Sequence, residues 1–127
     1  MDTQMNTLDA LGFWAKIVQR GLRELPYDLS SRQMGVMLSV YLTPPPHTIR
    51  NLSERLGVSK PAICRAVDAL SAVDLIRRKK DDDDRRNVLI QRTVTGSVFL
   101  SDFADIIMQE NDGAAFLAKA EDAKTAA

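Results

Sequence analysis

With 127 residues and 45% hydrophobic composition, the chain has apolar material for one core and too little length for two independent ones. One cysteine, Cys64, and one histidine, His47, exclude a disulfide framework and a Cys/His metal cluster, so no cofactor is expected. The 17 basic and 17 acidic residues cancel, yet the segment from Pro46 to Arg92 holds 11 Lys/Arg against 7 Asp/Glu, which excludes a uniformly neutral surface.

The first helix is predicted over Thr7 to Leu25, where Leu8, Leu11, Trp14, Ala15, Val18 and Leu22 recur at steps of three and four before Pro26 stops it. Ser30 or Ser31 caps a second helix with Met34, Met37, Leu38, Tyr41 and Leu42 as its expected buried stripe, and the prolines Pro44 to Pro46 end it. A third, short helix follows the Thr48 cap with Ile49, Leu52 and Leu56 inward. Gly57 stands where a left-handed residue is needed.

Ser59 caps a fourth helix that tolerates Pro61 in its first turn and presents Ile63, Ala66, Val67 and Leu70 to the core as far as about Ala72. Leu75 to Lys80 and Asn87 to Arg92 read as two strands joined by the charged tip Asp81 to Arg86. From the Thr93 cap, Val94, Val98, Leu100, Phe103, Ile106 and Ile107 mark a fifth helix, with a break expected at Gly113. The alanine-rich remainder has helical propensity and little to bury. The fold class is therefore mainly α with a small β-hairpin.

The strongest signal runs from Thr48 to Val67 and spells a helix-turn-helix. Gly57 supplies the positive φ of the turn, Val58 plugs the angle between the helices, and Ile63 and Val67 anchor the second one. The second helix of such a unit lies in the major groove of duplex DNA, where Lys60, Pro61, Cys64 and Arg65 face outward near its start, followed by Asp68. Arg65 can make a bidentate contact with guanine, while the Thr48 and Ser59 hydroxyls at helix N-termini suit phosphate oxygens. The hairpin that follows reads as a wing able to reach the adjacent minor groove.

These residues resemble the MarR family of winged helix-turn-helix regulators over roughly residues 29–100. Asp81, Asp84, Arg85 and Arg86 match its wing turn, Thr93 and Gly96 its following helix start, and Ser31, Gln33, Leu56, Gly57, Val58, Ser59, Arg65, Val67 and Leu70 its lead-in and helix-turn-helix. The resemblance implies that Arg85 or Arg86 enters the minor groove, with Asp84 holding one of them by a charge-assisted hydrogen bond. An arginine suits that groove physically, because its guanidinium is weakly hydrated and the narrow groove focuses negative potential.

The chain departs from the pattern at three places. Asp74 replaces the usual glycine before the wing, four aspartates from Asp81 to Asp84 make the tip acidic, and Arg92 stands where leucine is typical and should leave the strand end exposed. The resemblance further implies a homodimer formed by the terminal helices, residues 1–28 and 94–127, around a winged lobe of residues 30–92 in one MarR-like domain. Phe13, Trp14, Ile17, Val18, Phe99, Phe103, Ile106 and Ile107 are the apolar material for it.

Relatives bind small phenolic or lipophilic effectors, but no polar constellation identifies an effector here. Met34, Met37, Trp14 and Tyr41 read as core packing first. No run of about 18 apolar residues and no leader pattern occurs, so a soluble cytoplasmic protein without membrane contact is expected. Paired carboxylates, a nucleophile with its base and a phosphate loop are all lacking, and the expected function is sequence-specific double-stranded DNA binding in transcription, not catalysis. Net neutrality and the acidic wing leave a protein-interaction adaptor as the alternative.

Overall fold

A computed structural model of the chain describes residues 5–126, with side chains as far as Asn111. The element order is α1 (Thr7–Glu24), α2 (Ser31–Leu42), α3 (Ile49–Leu56), α4 (Lys60–Ala72), β1 (Ile76–Lys80), β2 (Val88–Arg92) and α5 (Val94–Ala126). The expected helical fold with one antiparallel hairpin is borne out. Two compact units result: Leu29–Leu100 holds α2 to β2 and the start of α5, while α1 and α5 from Ser101 onward make the other.

Local chemistry sets the boundaries in the first unit. The Ser30 hydroxyl accepts a hydrogen bond from Gln33 N and the Ser30 N–H donates to Gln33 Oε1, a capping box that starts α2. The Thr48 hydroxyl accepts from Asn51 N (3.1 Å) and the Ser59 hydroxyl from Ala62 N (3.3 Å), fixing the first turns of α3 and α4. Between them Gly57 has φ 64°, a left-handed conformation that costs a side-chain-bearing residue about 1–2 kcal/mol. The hairpin pairs Ile76 with Arg92 and Lys80 with Val88.

The core takes Val36, Met37 and Val40 from α2, Leu52 from α3, Ile63, Val67 and Leu70 from α4, Leu75, and Ile76 and Ile90 from the hairpin, each 2% exposed or less. Burying each such side chain contributes about 1.5–3 kcal/mol. The stripe expected for α2 is corrected: Met37 is buried, Met34 and Tyr41 are half-buried, and Leu38 and Leu42 face solvent. Apolar residues occur on almost every side of α2, so their spacing does not select the face that packs.

Tyr41 ties α2 to the foot of the hairpin. Its hydroxyl donates to the Leu75 carbonyl (2.6 Å) and accepts from Thr93 N (2.9 Å). Gly96 packs so closely that a Cβ there would lie 1.8 Å from Tyr41 Oη and 2.2 Å from the Leu75 carbonyl oxygen. Gly96→Ala is expected to destabilise the protein by about 1–3 kcal/mol, the usual range for an overpacked site. Denaturant titration reads this directly, and an unchanged midpoint would contradict the packing.

Asp74 adopts φ 59°, the strained conformation anticipated from its glycine-like position, and Thr93 Oγ1 donates to its carbonyl while Thr95 Oγ1 donates to its carboxylate. Arg92 is exposed as expected, yet its guanidinium donates to the Val40 and Thr43 carbonyls and lies 5.9 Å from the Tyr41 ring centre. It thereby satisfies C-terminal carbonyls of α2 and places a positive charge at the negative end of that helix.

His47 is 5% exposed, with Nε2 3.2 Å from the Thr43 carbonyl, and its own carbonyl accepts from Ile90 N (2.8 Å). Burial, more than the nearby Arg92 and Arg55 charges, pushes its pKa down. The folded state therefore binds fewer protons than the unfolded chain, and stability is lost as pH falls below the ordinary value of about 6.5. Because His47 is the only histidine, thermal melts between pH 7.5 and 5.5 should show a falling Tm that flattens in His47→Gln. A parallel fall in both proteins would contradict this assignment.

In the second unit Arg20 of α1 donates to Glu24 (2.6 Å) and, across to α5, to Glu110 (3.2 Å) and Gln109 (2.9 Å). These bonds raise the Arg20 pKa, chiefly through Glu24, and hold Glu24 below the usual carboxylate range. Ile17 and Ile106 are buried, and so is Phe99 of the first unit, which removes three residues expected to meet a partner chain. Leu8, Leu11, Trp14, Val18 and Leu22, by contrast, are 41% to 79% exposed along α1. The break expected at Gly113 does not occur, since α5 continues to Ala126. A helical glycine costs about 1 kcal/mol, too little to terminate a helix by itself. No helix among the described residues is long and apolar enough to cross a membrane.

Candidate nucleic-acid interface

The helix-turn-helix is built by α3, Gly57, Val58 and α4. Ser53 Oγ donates to the Val58 carbonyl (2.6 Å) and Val58 N to the Ser53 carbonyl (3.2 Å), locking the turn from both sides. Ala62, Ile63, Ala66, Val67 and Leu70 bury one face of α4, which forces Lys60, Pro61, Arg65 and Asp68 outward and leaves Cys64 half-buried. The Lys60 and Arg65 side chains make no hydrogen bond or ion pair among the described residues. Two adjacent turns of an exposed helix thus carry uncommitted cations.

The Thr48 and Ser59 oxygens serve as helix caps, as expected, and each hydroxyl keeps its proton to donate. A phosphate oxygen is the acceptor such a donor fits at a helix N-terminus, where backbone amides add positive potential.

The wing is more ordered in its chemistry than four consecutive aspartates suggest. Asp81 accepts from the Asp83 amide (3.0 Å) and Asp84 from the Arg86 amide (3.2 Å), so two of the four carboxylates shape the tip. Asp82 lies 4.0 Å from Lys79. Asp84 also accepts from the Arg86 guanidinium at 3.1 Å, and this side-chain bond is the main reason its carboxyl stays below the usual carboxylate range. The sequence left open which arginine Asp84 holds; the structure assigns Arg86.

Arg85 is exposed with no ion pair among the described residues. Arg78 on β1 pairs with Asp68 on α4. Arg55 and Lys80 are further exposed cations without an ion pair among the described residues, and motif spacing alone does not single them out. Their signal is present in the basic surplus of the middle segment, but charge counting does not separate free cations from paired ones. Among the described residues no group of His, Cys, Asp and Glu could hold a metal.

A sequence model of the MarR family matches residues 27–87. The fold is similar to that of an S. aureus MepR mutant bound to an oligodeoxyribonucleotide, at 20% identity and a TM-score of 0.76, covering 93% of this chain and 86% of that one. It is similar to the YusO protein from Bacillus subtilis at 18% identity and a TM-score of 0.71, covering 94% and 89%. The transcriptional regulator BldR from Sulfolobus solfataricus is 26% identical with a TM-score of 0.58, over 86% of this chain and 81% of that one.

Proposed function

We propose, from the match of residues 27–87 to the MarR family model, that the chain is a MarR-type transcriptional regulator and not an enzyme, and that it binds double-stranded DNA as a homodimer on an inverted repeat. In this reading α4 enters the major groove with Arg65 reading a base and Lys60, Pro61 and Cys64 beside it. Thr48 and Ser59 hold phosphates. Arg85 enters the minor groove at the wing tip, while Asp84 keeps Arg86 at the rim. The MepR neighbour bound to an oligodeoxyribonucleotide supports DNA as the ligand class.

The observation that carries the reading is the partition of charge on one lobe. Arg65, Lys60 and Arg85 are exposed and uncommitted, while Asp68, Asp82 and Asp84 are paired with Arg78, Lys79 and Arg86 and Asp81 is turned into the loop, which leaves Asp83 as the remaining wing carboxylate, without an ion pair among the described residues. The same partition weakens the case for an adaptor, which drew on the acidity of the wing. Selection of bound duplexes from a random pool tests the proposal. Enrichment of an inverted repeat with half-sites about one helical turn apart is the expected outcome, and a pool that stays random would overturn it.

The homodimer is proposed through the α1 stripe. Leu8, Leu11, Trp14, Val18 and Leu22 form a longer apolar surface than isolated exposed side chains do, as in a helix face awaiting a partner. A second copy linked there presents two α4 helices, which a two-fold operator requires. For an effector, Met37 and Tyr41 offer little, since Met37 is fully buried and the Tyr41 hydroxyl is committed.

A further inference from the structure

Side-chain ties of the wing are distributed unevenly. At its foot Ile76 and Ile90 are buried, but Arg77, Arg78, Lys79 and Lys80 are all exposed, so the outer half of β1 has no core contact. Ion pairs beyond that point, Lys79 with Asp82 and Arg86 with Asp84, lie within the wing itself. Among the described residues, the Arg78 Nη2 to Asp68 Oδ1 bond is the ion pair that joins the hairpin to α4.

Asp68 sits three residues after Arg65, on the same face of α4. An unneutralised carboxylate there would oppose the approach of phosphate. The pair is exposed, 64% at Asp68 and 38% at Arg78, so it adds little to folding stability. What it changes is where the hairpin points. A two-stranded ribbon is marginal by itself; β2 is anchored through Ile90 and the half-buried Val88 and Leu89, and on the β1 side this tie restrains the outer half.

We infer that Asp68 is a positioning residue, which through Arg78 sets the reach between Arg65 on α4 and Arg85 at the wing tip. The inference rests on the DNA-binding reading for its consequence, and on the protein alone for its mechanics. With the strut in place, Arg85 is held ready and less ordering is needed on binding.

A double-mutant cycle between Asp68 and Arg85, which make no bond to each other, reads the consequence. Asp68→Asn is expected to weaken binding to the selected duplex by about 3- to 10-fold, the cost of ordering a freed segment, with the melting temperature unchanged. Arg85→Ala should lose most of its effect in the Asp68→Asn background. The exchange Asp68→Arg with Arg78→Asp should restore binding. Additive penalties, or an exchange as weak as Asp68→Asn alone, would overturn the inference, as would a change of preference at one base pair with no coupling to Arg85.

Backbone ¹⁵N relaxation of the free protein reads the mechanics without DNA. Residues 81–87 should gain amplitude of motion in Asp68→Asn, and identical order parameters in the two proteins would overturn the strut. A wild-type protein that bound no duplex would defeat the regulator reading, while the relaxation result would still decide the strut.

Discussion

Arg65→Ala is expected to weaken binding to the preferred duplex by about 1–3 kcal/mol, roughly 5- to 150-fold, and to relax preference at one base pair of each half-site. The arginine is exposed on the face of α4 opposite Ile63, Val67 and Leu70, with no internal partner to release before it meets a base. Arg85→Ala should act differently. Its loss removes a minor-groove contact that responds to groove width, so affinity falls across many sequences with little change in preference. Fluorescence anisotropy with the selected duplex and single-base variants separates the two. Equal, unchanged affinities for both variants would show that this face of the lobe does not touch DNA.

The second large effect concerns assembly. Leu11→Glu combined with Trp14→Glu places two charges on an exposed stripe, where a single chain loses little because both side chains already face water. In a dimer the same charges would be buried without partners, at a cost large enough to separate the protomers. Sedimentation of the unaltered protein should give twice the chain mass of 14.1 kDa, and of the variant one chain mass. Operator affinity should fall about 100-fold or more, because two linked half-site contacts become independent ones. A single-chain mass for the unaltered protein would remove the dimer.

Residues that act through the backbone were the most legible in the sequence. Gly57 at φ 64°, the Thr48, Ser30 and Ser59 caps, and Asp74 in a left-handed conformation are all local requirements. The two strands start one residue later than expected, at Ile76 and Val88, because the end of a ladder depends on which backbone groups find partners and not on side-chain type. Faces were harder to read. The α1 pattern identified an apolar stripe, but spacing cannot say whether the protomer or a partner covers it, and the structure leaves it exposed. For α2 the apolar residues surround the helix, and Val36 and Val40 were missed as core.

Long-range polar ties were the least legible. Nothing local to Tyr41 reveals that its hydroxyl bridges Leu75 and Thr93, and nothing beside Arg92 reveals the Val40 and Thr43 carbonyls it satisfies. Among the candidate contacts, sequence spacing placed Arg65 outward and the two arginines at the tip. The division of labour between Arg85 and Arg86 needed coordinates, since it depends on the turn that brings Asp84 against one of them.

The most direct test of DNA binding is the salt dependence of affinity for the selected duplex. Lys60, Arg65, Lys80 and Arg85, on α4 and the wing, are four of the exposed cations per protomer that have no ion pair among the described residues. A dimer using most of them should give a slope of log K against log salt of about −4 to −7. A slope near zero, with binding unaffected between dilute buffer and physiological salt, would contradict phosphate contact by this surface.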